Sequence, residues 1–345
     1  MTETVEDRLL VPLDDPFDVM HVGWSFLRSR LLATAMELGV FTTLGDRALP
    51  SGQLRAELGL HPRAAQDFLD ALAALGLLLR CGDQYRNSPA AARYLIPGTE
   101  TFVGGFLRMT TELADSDRDT LSNLLRTGHA RGQNTAGEVP FTRIFHDPGR
   151  LRQFLAAMDS FSSAVATELI RVFDFGRYAT FSDIGGARGN LAAHVAAAYP
   201  GLTGTVLDKP GIRPFFDELV SGRGLTDRLN YVGGDFFVDD LPRADVLVLG
   251  GVLHDWPVDR RRLLLRRAFA AVHDGGAVIV YDTMLDDQRA RAENLILSLI
   301  MMVQSAEATG FSPAEAESWL TEAGFTVEQT FALPASSTAV IARKV

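Results

Sequence analysis

The stretch FSDIGGARGNLAAHVAAAYP, Phe181–Pro200, decides the fold. A short apolar run ends in Asp183. Gly185, Gly186 and Gly189 then crowd a turn, and an alanine-rich helical pattern follows. Strand, glycine turn and helix in that order make half of a βαβ unit. Downstream, β-type runs keep alternating with amphipathic segments: GTVLD then GIRPFFDELV, NYVGGDFF, ADVLVLGGVL then DRRRLLLRRAFAAV, and AVIVYD. This alternation predicts a doubly wound, mostly parallel α/β sheet with helices on both faces. The near-continuous apolar run DVLVLG fits a strand buried on both sides. SPAEAESWLTEAGF then reads as a helix with a glycine stop, followed by two strands, TVEQTFAL and STAVIARKV.

Upstream the period is helical. From Asp18 to Val40 apolar residues recur at three- and four-residue spacing. The segment from Ser51 to Ser88 reads as helix, turn, helix and hairpin. Ser51 is the expected cap of the first of these helices, Pro62 sits in the first turn of the second, and Gly82 supplies positive φ to the CGDQ turn. Two helices and a hairpin make a winged-helix pattern. Arg118 to Pro148 reads mostly as loop, and Leu151 to Phe175 as a long helix. The expected division is a winged-helix-like dimerisation domain over 1–100, a connecting region over 101–150 that contributes to the substrate pocket, and a catalytic domain over 151–345.

The chain has 345 residues and a formal net charge of −10. An acidic chain is a poor general binder of nucleic acid or anionic membrane, because phosphate binding rests on clustered positive charge. Between Ser51 and Leu95 five arginines face four acids, and the helix in the DNA-reading position carries Asp67 and Asp70 beside Arg63. A reading helix is basic, so this part is read as a dimer scaffold. One cysteine, Cys81, excludes an intramolecular disulfide and points to a reducing, cytoplasmic compartment. MTETVEDRLL does not read as a secretory or mitochondrial leader, and no uninterrupted apolar run reaches membrane-spanning length. No His/Cys/Asp cluster has metal-ligand spacing.

In an open α/β sheet, ligands bind beyond the carboxyl ends of the strands. The turn after Asp183 lies at such an end, yet it is neither G-x-G-x-x-G nor a P-loop. A tight turn with acids as caps is one reading of it. Asp208 in TVLDKP and Asp235 in GGDFF, with Phe236 beside it able to stack on a flat base, favour the other. A ligand that suits these residues has a ribose, a planar base and a cationic end, and S-adenosylmethionine meets that description.

Taken in order, SDIGGARGNL, GTVLDKP, GGDFF, VLVLGGVLHDWPVD and WLTEAGF resemble the small-molecule O-methyltransferases that join a winged-helix dimerisation domain to a Rossmann-like class I methyltransferase domain. The resemblance runs from about Pro16 to Arg343. It implies a homodimer that uses S-adenosylmethionine without a metal and releases S-adenosylhomocysteine. Cofactor contacts are implied at Asp183, Gly185, Gly186, Gly189, Asp208, Asp235 and Phe236. His254 is implied as the general base, a role that a neutral imidazole suits near pH 7, with Asp282 as its orienting acid. Asp255 reads instead as the N-cap of the next helix, with Trp256 and Pro257 in the first turn. The family often has a second acid where this chain has Gly310, a departure that leaves one orienting acid unless Glu307 reaches in. It also keeps open a same-fold enzyme that uses the cofactor for hydroxylation, decarboxylation or cyclisation. Met158, Phe161 and Met302 are expected at the substrate, an aromatic or polyketide-type hydroxyl compound, with Asp117 and Asn123 as further candidates.

Overall fold

The computed structural model describes residues 15–99, 101–115, 120–129, 147–334 and 336–345. The chain forms two compact units. One runs through Ser116 and takes in Ala156–Ser160; the other comprises Asp117–Leu155 and Phe161–Val345.

The first unit opens with a helix, Pro16–Glu37, whose start is fixed by a capping box between Asp15 and Asp18 and by Pro16 in its first turn. Short helices Val40–Leu44, Ser51–Glu57 and Pro62–Ala74 follow. A small antiparallel sheet pairs β1 (Leu49–Pro50) with β3 (Gln84–Asn87), and β3 with β2 (Leu78–Cys81). Gly82 has φ +60° in the β2–β3 turn, as its sequence requires. The winged-helix pattern is therefore present. Its core joins Val40, Phe41, Leu44, Leu54, Leu69, Leu72, Leu78 and Tyr85. The expected cap at Ser51 is not there: Pro50 is the N-cap and no side chain caps the helix. Ser51 Oγ instead donates to Asp83 Oδ1 at 2.5 Å, tying the helix to the hairpin.

In the second unit, the long helix Pro148–Val172 is capped by Asp147. It precedes a seven-stranded sheet of order β6-β5-β4-β7-β8-β10-β9. The strands are β4 (Thr180–Ile184), β5 (Thr203–Asp208), β6 (Leu229–Gly233), β7 (Ala244–Gly250), β8 (Val272–Asp282), β9 (Thr326–Leu333) and β10 (Ser337–Arg343). The first five are parallel, while β10 runs antiparallel to both β8 and β9. Two apolar clusters cover the two faces, one around Phe175, Phe181 and Val206, the other around Leu247, Leu264 and Val280. Within the segment read as loop, Thr120–Thr127 forms a helix. Asp117 and the segment 130–146 lie outside the described residues. No helix among the described residues is long and apolar enough to cross a membrane.

The first helix presents Phe17, Val22, Trp24 and Phe26 to solvent, with Val22 and Phe26 each 62% exposed. A helix that leaves this many large apolar side chains in solvent is a candidate association element. The double substitution Val22→Glu with Phe26→Glu should shift the molecule from dimer to monomer in light scattering; an unchanged mass would remove this helix from the interface.

Candidate active site

β4 pairs with β5 on one side and with β7 on the other, so its carboxyl end is the point where the strand order reverses. Crevices form at such switch points, and the glycine turn sits in this one. Gly185 and Gly189 take φ of +72° and +80°, values that glycine adopts without strain. Space also excludes side chains. A Cβ on Gly186 would stand 2.5 Å from the Asp183 carboxyl, and one on Gly185 would stand 2.6 Å from a Val252 methyl. The backbone is thus bare where a ligand would approach. Gly189 caps the helix Asn190–Ala198, into which the turn feeds.

The predicted acids converge here. Asp208, ending β5, accepts the Ala187 N–H at 2.7 Å and the Lys209 N–H at 2.7 Å, which locks its carboxylate beside the turn. Asp235 accepts from Lys209 Nζ at 2.9 Å and from the Phe237 N–H at 2.9 Å. Burial pushes Asp235 up, but Lys209 and that N–H outweigh it and hold the carboxyl below its ordinary range. The Phe236 ring lies within van der Waals reach of the space above Gly185, and it packs edge-on to Trp256 at 5.9 Å. Beneath the turn, Asp183 is buried and its Oδ2 has no hydrogen-bond partner. Burial, and then the charge of Asp208, push its carboxyl up to about 7. An orphaned acid, a bare glycine cradle, a two-oxygen acceptor and an aromatic face fit a cationic adenosine ligand.

Val252 carries the crevice onward to His254, which lies in a single 3₁₀ turn, Leu253–Asp255, after β7. The imidazole is partly buried. Its Nδ1 is 2.6 Å from Asp282 Oδ1 at the end of β8, and Asp282 Oδ2 accepts the His254 backbone N–H at 3.3 Å. Asp282 thus grips both the ring and the main chain of the histidine.

Asp255 corrects the sequence reading. The next helix, Val258–Ala271, has Pro257 as N-cap and no side-chain cap, so neither Asp255 nor Trp256 belongs to its start. Asp255 is buried instead against the imidazole, with Oδ1 at 3.3 Å from Nε2. Gly310 accordingly does not leave the histidine with a single acid. A Cβ at position 310 would stand 2.7 Å from Ser298 Oγ and 2.8 Å from Leu285, so both side chains would have to shift to admit one. The two carboxylates on the ring come from β8 and from the histidine's own turn. Glu307, left open as an acid that reaches in, donates its backbone N–H to Ser305 Oγ at 3.4 Å. Burial alone would lower the His254 pKa, but Asp282 and then Asp255 override it and raise it well above 6.5.

Of the expected substrate residues, Met158 and Phe161 lie one turn apart on the helix Pro148–Val172. Met158 belongs to the first compact unit, whereas Phe161 packs on the core of the second. Met302 is half-buried on the helix Ala292–Gln304. Asn123 is used locally, donating to the His129 carbonyl at 2.8 Å. Among the described residues no group of three or more His, Cys, Asp or Glu could hold a metal.

Asp183 has a signature in stability. Its folded pKa of about 7 exceeds the unfolded value of 3.8. The folded state therefore holds the extra proton, and stability falls as pH rises from about 4 through about 7. Asp183→Asn should raise the melting temperature at pH 8, by about 2–4 °C per kcal/mol recovered, with the gain vanishing near pH 4. A gain that does not depend on pH would contradict the assignment.

Comparison with known proteins agrees with this geometry. The O-methyltransferase domain family matches residues 118–326, and the O-methyltransferase dimerisation domain family matches residues 20–97. The tetracenomycin polyketide synthesis 8-O-methyl transferase of Streptomyces glaucescens is 43% identical over 331 residues, covering 95% of this chain and 97% of that protein. An N,N-dimethyltransferase of Streptomyces rimosus is 38% identical over 321 residues, 93% of each chain. Human N-acetylserotonin methyltransferase, solved in complex with SAM, superposes with a TM-score of 0.84 at 29% identity, covering 96% of this chain and 98% of that one. Matches to both domain families and 43% identity across nearly the whole chain make this chain a member of the O-methyltransferase family.

Proposed function

We propose that this chain methylates a phenolic hydroxyl of an aromatic, polyketide-type small molecule, using S-adenosylmethionine as donor and His254 as general base. The observation that carries the reading is the Asp282–His254 pair, 2.6 Å apart, at the strand end that adjoins the glycine turn. The 43% identical polyketide 8-O-methyl transferase supports the acceptor class.

The donor is assigned to Asp183, Gly185, Gly186, Gly189, Asp208, Asp235 and Phe236. The glycines admit it to the backbone, Asp208 offers oxygens to ribose hydroxyls, Phe236 faces the base, and Asp183 answers the positive charge. When bound, S-adenosylmethionine supplies an electrophilic methyl on a sulfonium. A neutral phenol attacks such a methyl poorly until its proton leaves. With Nδ1 committed to Asp282, Nε2 is the nitrogen that takes the proton, and Asp282 and Asp255 stabilise the imidazolium that results. Holding donor and acceptor in line supplies much of the remaining acceleration. Met158, Phe161 and Met302 are assigned to the substrate.

The molecule acts as a homodimer through the N-terminal domain, in the cytoplasm, without nucleic-acid or membrane partners. Its working division is 1–100 for dimerisation, 101–150 as connector and 151–345 for catalysis. An amine acceptor is the second reading, favoured by the 38% identical N,N-dimethyltransferase. A neutral amine needs no base, so His254 separates the two readings. His254→Ala should cost about 10²–10⁴-fold on a panel of naphthol and anthraquinone phenols. Fast amine methylation, left intact by that substitution, would overturn the phenol reading.

The pH profile tests the base directly. Because the His254 pKa is raised, kcat should decline below a limb lying above pH 6.5. Asp282→Asn removes the main charge that raises it, so this limb should move to lower pH while the plateau falls. A limb unmoved in Asp282→Asn would assign it to another group.

A further inference from the structure

Arg261 is the largest fully buried side chain of the described residues, 1% exposed. In the sequence it disappears into the basic run DRRRLLLRR. The structure places it on the inner stripe of the helix Val258–Ala271, in register with Leu264, Leu265 and Ala268. Burying a guanidinium is costly unless its hydrogen bonds are met, and these are met in a particular way. Nε donates to the Trp256 carbonyl at 2.6 Å. Nη2 donates to the Thr309 carbonyl at 2.6 Å and to Thr309 Oγ1 at 2.7 Å. The guanidinium carbon lies 4.8 Å from the Phe311 ring centre and 5.3 Å from that of Trp319. No carboxylate is among its hydrogen-bond partners.

Those acceptors surround the histidine. Trp256 is two residues beyond His254, and the Thr309 N–H donates to the His254 carbonyl at 3.0 Å. A closed ring runs from His254 to Trp256, to Arg261, to Thr309 and back to His254. It uses the segment that carries Gly310, where an added Cβ would have to displace Ser298 and Leu285. The Arg261 charge also lies in the field of Asp282, Asp255 and Glu315. Asp282 and Asp255 are the two acids facing the imidazole, from β8 and from its own turn. A neutral imidazole between two aspartates carries a net negative surround, and Arg261 offsets it from behind.

We propose that Arg261 is a positioning residue for His254: it clamps the histidine turn to the Thr309 segment and supplies the cation that balances the two aspartates, in place of an acid at position 310. The inference rests on His254 being the base.

The test is histidine nitrogen NMR on the full-length protein, with His254 assigned by the resonance lost in His254→Ala. Arg261→Met keeps volume but removes charge and donors. Its His254 midpoint should rise by about 0.5–1 pH unit, with S-adenosylhomocysteine affinity by calorimetry changed less than about threefold (~0.7 kcal/mol). Arg261→Lys keeps the charge but not the fork, and should restore most of the midpoint. On naphthol acceptors, kcat of Arg261→Met should fall about tenfold or more with little change in KM. Should Arg261→Met fail to fold, Thr309→Val reads the same clamp from an exposed residue, with a smaller change in the same direction. A His254 midpoint unmoved in every folded variant would overturn the inference and leave the base assignment standing. Full phenol methylation by His254→Ala would remove the base assignment, and this inference with it.

Discussion

Parallel pairing of β4 between β5 and β7 is the constraint on which the rest depends. In that arrangement Asp183 stands level with Val206 of β5 and Val248 of β7, so the strands finish along one edge. Asp183, Asp208 and Asp235 follow from β4, β5 and β6, and His254 and Asp282 from β7 and β8. Residues from Asp183 to Asp282 are therefore brought to one edge of the sheet without any loop having to carry them far. The backbone ladder fixes their spacing, which side chains on flexible loops could not hold.

The same edge concentrates electrostatic stress. Three acids without a metal repel one another, and burial discourages their ionisation. The chain relieves this unevenly. Asp208 gains two backbone N–H donors and Asp235 gains Lys209, whereas the Oδ2 of Asp183 is left without a partner. Around His254 the balance has the opposite sign. Two aspartates raise its affinity for a proton.

Much of this was legible in the chain. Glycines at 185, 186 and 189, acids at the ends of apolar runs and a histidine after DVLVLG are local patterns, and local patterns survive without coordinates. Asp282 was legible through the family resemblance, which places an acid at the end of the strand that follows the histidine. Failures came where a residue's partner is not its neighbour in sequence. Asp255 looks like a helix cap by position, and only the 3₁₀ turn at Leu253–Asp255 turns its carboxylate toward the imidazole. Ser51 looks like a cap as well, but the hairpin brings Asp83 to it. Arg261 sits among four other arginines between 260 and 267, and its burial shows only once the apolar stripe through Leu264, Leu265 and Ala268 is aligned with it.

The sequence by itself determined the class of fold, the order of its elements and the chemical types at the strand ends. Hydrophobic period, glycine freedom and turn chemistry act over a few residues. Tertiary structure alone decided which carboxylates meet the histidine, what packs against Gly310 and what satisfies the buried guanidinium of Arg261. Those outcomes depend on pairings across 28 to 48 residues of chain, from His254 to Asp282 and from Arg261 to Thr309. Only packing of the sheet against its helices fixes which distant groups share a low-dielectric space.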